Sequence, residues 1–159
     1  MSFRQATVAD ASAIAALVLV ARDKARQDDS SLEGATQGWT GYLNGTHTPK
    51  FGKPPRIIYL AFAGETLVGN VACHHTTKQG FEAELQSIYV HPDYQGQGLG
   101  TALLRMAVDR LLAAGIASMM VGFYSDNPFQ RFYVKYGGQL TASHRCEWSD
   151  LNALRHLLD

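Results

Sequence analysis

Cysteine is scarce in this chain. Cys73 and Cys146 are the only two in 159 residues, far apart and without metal-type spacing. That excludes a disulfide scaffold and a thiolate zinc site, and it suits a reducing compartment where small thiols are core residues. An excess of either charge is also lacking, since 14 Lys and Arg balance 14 Asp and Glu. A nucleic-acid binder relying on a broad positive field is thereby excluded, although net charge leaves local patches open. No apolar run approaches the roughly 20 residues of a membrane span. The Ala-rich stretch from Ala11 to Ala21 follows Asp10, with no basic segment ahead of it beyond Arg4. It keeps helical spacing through Ile14, Leu17, Val18 and Ala21 and passes into Arg22-Asp23-Lys24, so it reads as a core-facing helix and not a signal peptide. His74 and His75 are adjacent in a strand-like run, so they point to opposite faces and no metal site is expected. What is present, 46% hydrophobic and 18% charged residues, describes one globular domain over residues 1–159, expected in the cytoplasm with no nucleic-acid or membrane partner.

The most informative segment is Glu84–Thr101, which joins an apolar strand to a helix through Gln95-Gly96-Gln97-Gly98-Leu99-Gly100. From Leu99 the apolar residues fall at 99, 103, 104, 107, 108 and 111, one face of a helix. A helix start leaves its first backbone N–H groups unpaired at the positive end of the macrodipole. Glycines remove the Cβ atoms that would hold a phosphate away. The turn formed by Gln95, Gly96, Gln97, Gly98, Leu99, Gly100 and Thr101 therefore reads as an anion site for the pyrophosphate of a nucleotide-bearing cofactor. Two other phosphate motifs fail here. A Walker loop needs Gly-Lys-Ser/Thr, and Gly98 is followed by Leu99. A dinucleotide fingerprint needs Gly-x-Gly-x-x-Gly, whereas this turn is Gly-x-Gly-x-Gly.

Around this segment the chain reads as a short strand at residues 3–6, a capping box Thr7-x-x-Asp10, and a helix to about Gln27. A polar loop from Asp28 to Gly38 and a short helix over Trp39–Leu43 follow, then a loop from Asn44 to Pro55. Strands over Ile57–Ala63 and Thr66–Cys73 flank the hairpin signal Gly64-Glu65. A further strand spans Ala83–Val90. The long helix stops at Ala114-Gly115. A strand over Met119–Tyr124 leads to Asn127-Pro128, which opens a helix ending at Tyr136-Gly137. A last strand over 139–147 and a small helix over Ser149–Leu158 close the chain. There is no repeat. Antiparallel strands with inserted helices give an α+β open sheet.

Gln95, Gly98 and Gly100 match the Gln/Arg-x-x-Gly-x-Gly/Ala signature of the GNAT superfamily, the acyl-CoA-dependent N-acyltransferases. Phe3–Asp10 resembles that family's first strand and the start of its first helix. Asn127-Pro128-Phe129-Gln130-Arg131-Phe132-Tyr133 with Gly137-Gly138 resembles its closing Asn…Tyr…Gly segment. In order and spacing the resemblance covers roughly residues 3–148. It implies a mixed, mostly antiparallel sheet of six or seven strands flanked by about four helices, with the fourth and fifth strands splayed. The cofactor implied is acetyl-CoA as co-substrate, its arm paired with the backbone of Ile88, Tyr89 and Val90 and held by Asn127. Tyr133 is the implied general acid for the departing thiolate. Glu84 matches a glutamate base of some members, while the fifth-strand glutamate of others is Gly122 here, leaving Glu84 or a water chain. The amine acceptor, a small molecule or a protein amino group, is expected near the first two helices. There Asp28, Asp29 and Glu33 would attract a cation and Trp39 or Tyr42 would give an aromatic wall. The alternative is a non-catalytic acyl-CoA-binding sensor or interaction module; a homodimer is compatible with either.

Overall fold

A computed structural model describes residues 1–22, 31–123, 127–141 and 144–159. Seven strands form one open sheet: β1 (Ser2–Gln5), β2 (Gly52–Ala63), β3 (Thr66–Thr76), β4 (Ala83–Val90), β5 (Met119–Gly122), β6 (Gln139–Thr141) and β7 (Arg145–Trp148), in the order β1-β2-β3-β4-β5-β7-β6. Five helices accompany them: α1 (Ala11–Ala21), α2 (Leu32–Asn44), α3 (Leu99–Ala113), α4 (Gln130–Lys135) and α5 (Leu151–Leu157). Only β4 and β5 run parallel; every other pair is antiparallel. This is the α+β sheet expected from the sequence.

Alternation along the strands divides the core into two layers. Ile57, Val71, Cys73 and Leu85 face α3 and α5, whereas Ile58, Leu60 and Ala72 face α1 and Tyr42 of α2. All six apolar positions read from the sequence of α3, Leu99 to Leu111, are buried. Burying a leucine contributes about 1.5–3 kcal/mol, so this stripe fixes α3 on the sheet and its first turn beside β4. On the other face Ile14, Leu17, Val18 and Ala21 of α1 are buried as expected. The hairpin at Gly64-Glu65 pairs Ala63 with Thr66. Asp10 accepts from the Thr7 N–H at 2.7 Å, which starts a single 3-10 turn ahead of α1.

Several boundaries differ from the sequence reading, each for a local reason. Residues 32–38, expected as loop, are helical: Ser31 caps α2 by accepting from the Gly34 N–H at 3.0 Å. Three glycines inside α2 (34, 38 and 41) concealed that helix. Strand β2 begins at Gly52 and not Ile57, because a register shift between Lys53 and Arg56 absorbs Pro54-Pro55, which lack ladder donors. Strand β3 runs on to Thr76. The single strand expected over 139–147 is a hairpin, with Leu140 opposite Cys146 and His144 at a positive φ of 56°. Helix α4 starts at Gln130, two residues past Pro128. Asn127 Oδ1 accepts from the Phe129 N–H at 2.8 Å, so the asparagine caps a turn that precedes the helix.

Candidate active site

The parallel pair β4–β5 is short. Ala83 lies opposite Met119 and Glu84 opposite Met120, and the ladder goes no further. A β-bulge helps to turn β4 away: Ala72 pairs with Ser87 and Cys73 with Leu85, leaving Gln86 as the extra residue. Beyond it the strands part around a cleft of about 990 Å³, with Ile88, Tyr89 and Val90 on one wall and Val121, Gly122 and Phe123 on the other. The His91 N–H donates to Val68 O at 2.8 Å. Antiparallel alternation then directs the backbone groups of Tyr89 toward β3 and those of Ile88 and Val90 toward the cleft. Of the three residues named for main-chain pairing, Ile88 turns its N–H and C=O toward the cleft, Val90 its N–H, its carbonyl being taken by the Gln95 side chain, and Tyr89 its side chain.

At one end of this cleft the α3 turn closes the site. Gln95, Gly96, Gly98, Leu99, Gly100 and Thr101 line it. Gly98 caps α3 at φ 82°, a left-handed conformation suited to glycine, and its carbonyl accepts from the Ala102 N–H, so α3 begins at the residues that line the cleft. Gln95 Nε2 donates to Val90 O at 3.0 Å, locking the turn onto the strand end. Gln97 does not line the cleft; its amide donates to Asp93 O at 3.0 Å and holds the preceding turn. A Cβ at Gly100 would touch the Phe132 ring at 3.5–3.6 Å, an ordinary contact, so only a side chain larger than alanine would crowd the space between the helix start and α4. The amides of the helix start and the missing side chains fit a pyrophosphate.

Asn127 and Tyr133 line the same cleft from the α4 side. Thr101 Oγ1 and Tyr136 Oη lie 2.6 Å apart, and Trp148 Nε1 donates to Tyr136 O, so α4 is pinned to α3 and β7. Tyr133 is buried, stacked on Phe123 at 5.8 Å and edge-on to Phe132 and Trp148. Burial pushes its phenol well above the ordinary range, helped by Tyr89 and Cys146, so it stays protonated throughout the working pH range. Both cysteines are buried, and burial raises Cys73 to about 12 and Cys146 to about 11, so neither offers a thiolate near neutral pH.

A second, smaller cleft of about 260 Å³ lies on the α1–α2 face, walled by Trp39, Tyr42, His47 and Pro49. Arg22, Gln86, Ser87 and Tyr89 line both clefts, so the two meet at the β4 bulge. Ser87 Oγ is buried there with no hydrogen-bond partner among the described residues. Trp39 and Tyr42, expected from the sequence as alternatives for an aromatic wall, both line this cleft. Glu33 is exposed in the first turn of α2 and lines neither cleft. Asp28 and Asp29 lie outside the described residues.

Glu84 also lines neither cleft. It faces His74 across the β3–β4 register, with its carboxylate 3.4 Å from His74 Nε2 and 3.7 Å from Lys78 Nζ. The His74 contact is within ion-pair reach but misses hydrogen-bond geometry. Burial alone would raise the Glu84 carboxyl; His74 and Lys78 outweigh it and hold it below its ordinary value. Two neighbours of this pair had no signal in the sequence: Arg56, whose guanidinium covers the Tyr42 ring at 4.5 Å, and the contact between Tyr42 and His74 itself. Among the described residues no group of three or more His, Cys, Asp or Glu is placed to hold a metal, and no helix is long and apolar enough to cross a membrane.

The glycine-lined start of α3 thus stands beside two clefts that share residues of β4. The sequence model of the Acetyltransferase (GNAT) family matches residues 21–138, and the chain belongs to that family. It is similar to an uncharacterized N-acetyltransferase, YuaI, of Bacillus subtilis (strain 168), at 34% identity over 94 residues, 52% of this chain and 54% of the relative. The chain spans about half the length, or less, of the curated relatives it matches. Its fold is similar to that of PaiA N-acetyltransferase from Thermoplasma acidophilum in complex with coenzyme A, with a TM-score of 0.69 and 17% identity over 92% of this chain and 96% of that one. It is likewise similar to a GNAT family acetyltransferase from Brucella melitensis in complex with acetyl-CoA, with a TM-score of 0.62 and 19% identity over 92% and 86%.

Proposed function

We propose that residues 1–159 act as one acetyl-CoA-dependent N-acetyltransferase domain that passes the acetyl group directly to a primary amine on a small molecule or a protein. The observation that carries this reading is the meeting of the two clefts at Gln86–Tyr89. A donor held in the larger cleft and an amine entering the smaller one would come together at the same strand. Family membership and two structural neighbours that hold CoA or acetyl-CoA support the donor. The donor supplies an acetyl group already activated as a thioester. The amides of the α3 turn would take its pyrophosphate, with Gln97 acting only by bracing that turn. The main chain of Ile88 and Val90 would align its arm, with Tyr89 and Asn127 on the flanks.

At the reacting centre, a cleft-facing N–H of β4 would stabilise charge on the carbonyl oxygen as the amine attacks. Ser87 Oγ would accept from the amine N–H; an unmet buried hydroxyl costs about 1–3 kcal/mol, which this bond would remove. Tyr133 would give its proton to the leaving sulfur and regain one from water. The buried, fully protonated cysteines favour direct transfer over an acyl-cysteine. Glu84 is proposed as the group that takes up the proton lost by the acceptor ammonium. The test is thiol release from acetyl-CoA in the presence of free L-amino acids, an alkyl monoamine, spermidine and peptides with a free amino terminus. Acetyl transfer to one of these confirms an enzyme. Tight acetyl-CoA binding with no transfer to any amine would favour the sensor.

A further inference from the structure

We propose that Tyr42, His74 and Glu84 form a proton relay that carries the acceptor's proton from the second cleft to the outer end of β4; the proposal rests on the N-acetyltransferase reading. Glu84 cannot meet the amine directly, because it lines neither cleft. Tyr42 lines the second cleft, and its hydroxyl lies 2.9 Å from Nδ1 of the fully buried His74. The other ring nitrogen of His74 faces Glu84, whose side chain retains some solvent exposure and reaches Lys78.

Chemistry fixes the direction of each link. Glu84 is ionised near neutral pH, so the His74 nitrogen facing it must carry the hydrogen; a lone pair there would repel the carboxylate. Nδ1 is then the acceptor and the Tyr42 hydroxyl the donor. Every donor along Tyr42–His74–Glu84 therefore points away from the cleft. The ring of Tyr42 is held for this role: Arg56 covers one face, its Nε donates to Tyr42 O at 2.6 Å, and Trp39 packs edge-on at 5.8 Å. The charged and titratable groups around His74 are Tyr42 from α2, Arg56 from β2, its neighbour His75 on β3 and Glu84 from β4, with Lys78 from the turn after β3 reaching Glu84.

In one shift, the acceptor ammonium gives a proton to Tyr42 Oη and Tyr42 gives its own to His74 Nδ1, while His74 Nε2 closes its 3.4 Å gap to Glu84 and passes its proton to that carboxylate. The free amine then forms the N–C bond while the C–S bond of the thioester breaks. The second amine proton leaves to water, and Tyr133 protonates the sulfur. After the product leaves, the shift runs in reverse, restores the His74 tautomer and returns the proton through Tyr42 to water in the cleft. The relay thus matters only while the acceptor arrives as an ammonium.

The experiment is the pH–rate profile of wild type, Tyr42→Phe and Glu84→Gln, with the most active amine of the panel above. Direct calorimetry of acetyl-CoA and thermal melts accompany it. Both variants should keep wild-type acetyl-CoA affinity and acceptor KM and lose about 10²-fold in kcat near neutral pH. The deficit should shrink as pH rises through the acceptor's own pKa, about 8 for an α-amine and about 10.4 for an alkylamine. A merely structural role gives a deficit that does not change with pH. Such a flat deficit, or wild-type kcat in folded protein, overturns the relay. Should Tyr42→Phe fail to fold, Glu84→Gln decides alone, since it swaps a partly exposed carboxylate for its isosteric amide. A wild-type protein that acetylates no amine overturns the enzymatic reading, and the relay with it.

Discussion

The donor cleft and the cleft beside it are made of different material. The first owes its proposed polar contacts to main chain, at the start of α3 and along β4 beyond Glu84 where β5 no longer pairs with it, with Phe123, Phe129 and Phe132 among its apolar lining. The second is side chain: Trp39 and Tyr42 from α2 and Ser87 and Tyr89 from β4, backed by Arg56 from β2 and His74 from β3. A main-chain site recognises what every ligand of one class shares, here a pyrophosphate and an extended arm. It tolerates change in all residues except those that set the backbone path. A side-chain site recognises one shape and charge, so on the proposed reading the second cleft is where acceptor choice resides. Within one family the first site can stay constant while the second is rebuilt.

Tyr133 is the side chain on the donor side to which we assign a chemical duty, and its loss should have the largest effect. Tyr133→Phe keeps the stacking on Phe123 and the edge contacts to Phe132 and Trp148. Turnover should fall about 10²–10⁴-fold with acetyl-CoA affinity nearly unchanged, read by steady-state kinetics and calorimetry. Wild-type turnover would return Tyr133 to packing and leave the donor side without a side-chain acid.

Gly100→Val sharpens the contrast at smaller magnitude. The first turn of α3 there has ordinary helical backbone, so the substitution adds bulk without the strain that Gly98, at φ 82°, would suffer. A Cβ there already touches Phe132 and Val90, and Gly100 lines the cleft, so branches beyond it should take up cleft space. Acetyl-CoA should bind at least about tenfold more weakly, which is about 1.4 kcal/mol, while the melting temperature holds. Unchanged affinity in folded protein would remove the pyrophosphate from this turn.

The same division explains what could be read in advance. The donor site is contiguous: Leu85–Val90, the turn and α3 follow one another, so strand pattern, glycine spacing and a buried stripe of six residues announced it. Main-chain recognition leaves its mark as glycine, which is visible in a single sequence. The acceptor side joins residues 39–42, 56, 74 and 84, whose approach depends on strand register. Nothing in Cys73-His74-His75 shows that one histidine will meet Tyr42 and Glu84. Helix α2 was half concealed by its glycines and β2 by Pro54-Pro55, so the elements carrying Tyr42 and Arg56 were the least legible. Glu84 was found by resemblance; its distance from both clefts follows from the short β4–β5 pairing, which no local pattern encodes.

The smallest expected effect concerns the base of the acceptor wall. Helix α1, whose Val18 lines the second cleft, is started by Asp10. The Asp10 carboxylate accepts from Arg4 at 2.8 and 2.6 Å and from the Thr7 N–H at 2.7 Å. The Arg4 hydrogen bonds, foremost, hold its pKa down to about 2. A folded-state pKa below the unfolded value of about 3.9 means the unfolded chain takes up the proton first as pH falls. The stabilisation is therefore complete above about pH 4, drains between about 4 and 2, and is gone below. Arg4 is half exposed, so salt screens the pair and the contribution is about 1 kcal/mol. Asp10→Asn should lower the melting temperature by about 2–4 °C at neutral pH. The difference from wild type should close as pH approaches 2, and it should narrow in high salt. Thermal melts across that range decide the matter: a deficit that persists at the acid end would assign the loss to the Thr7 cap and not to the charge.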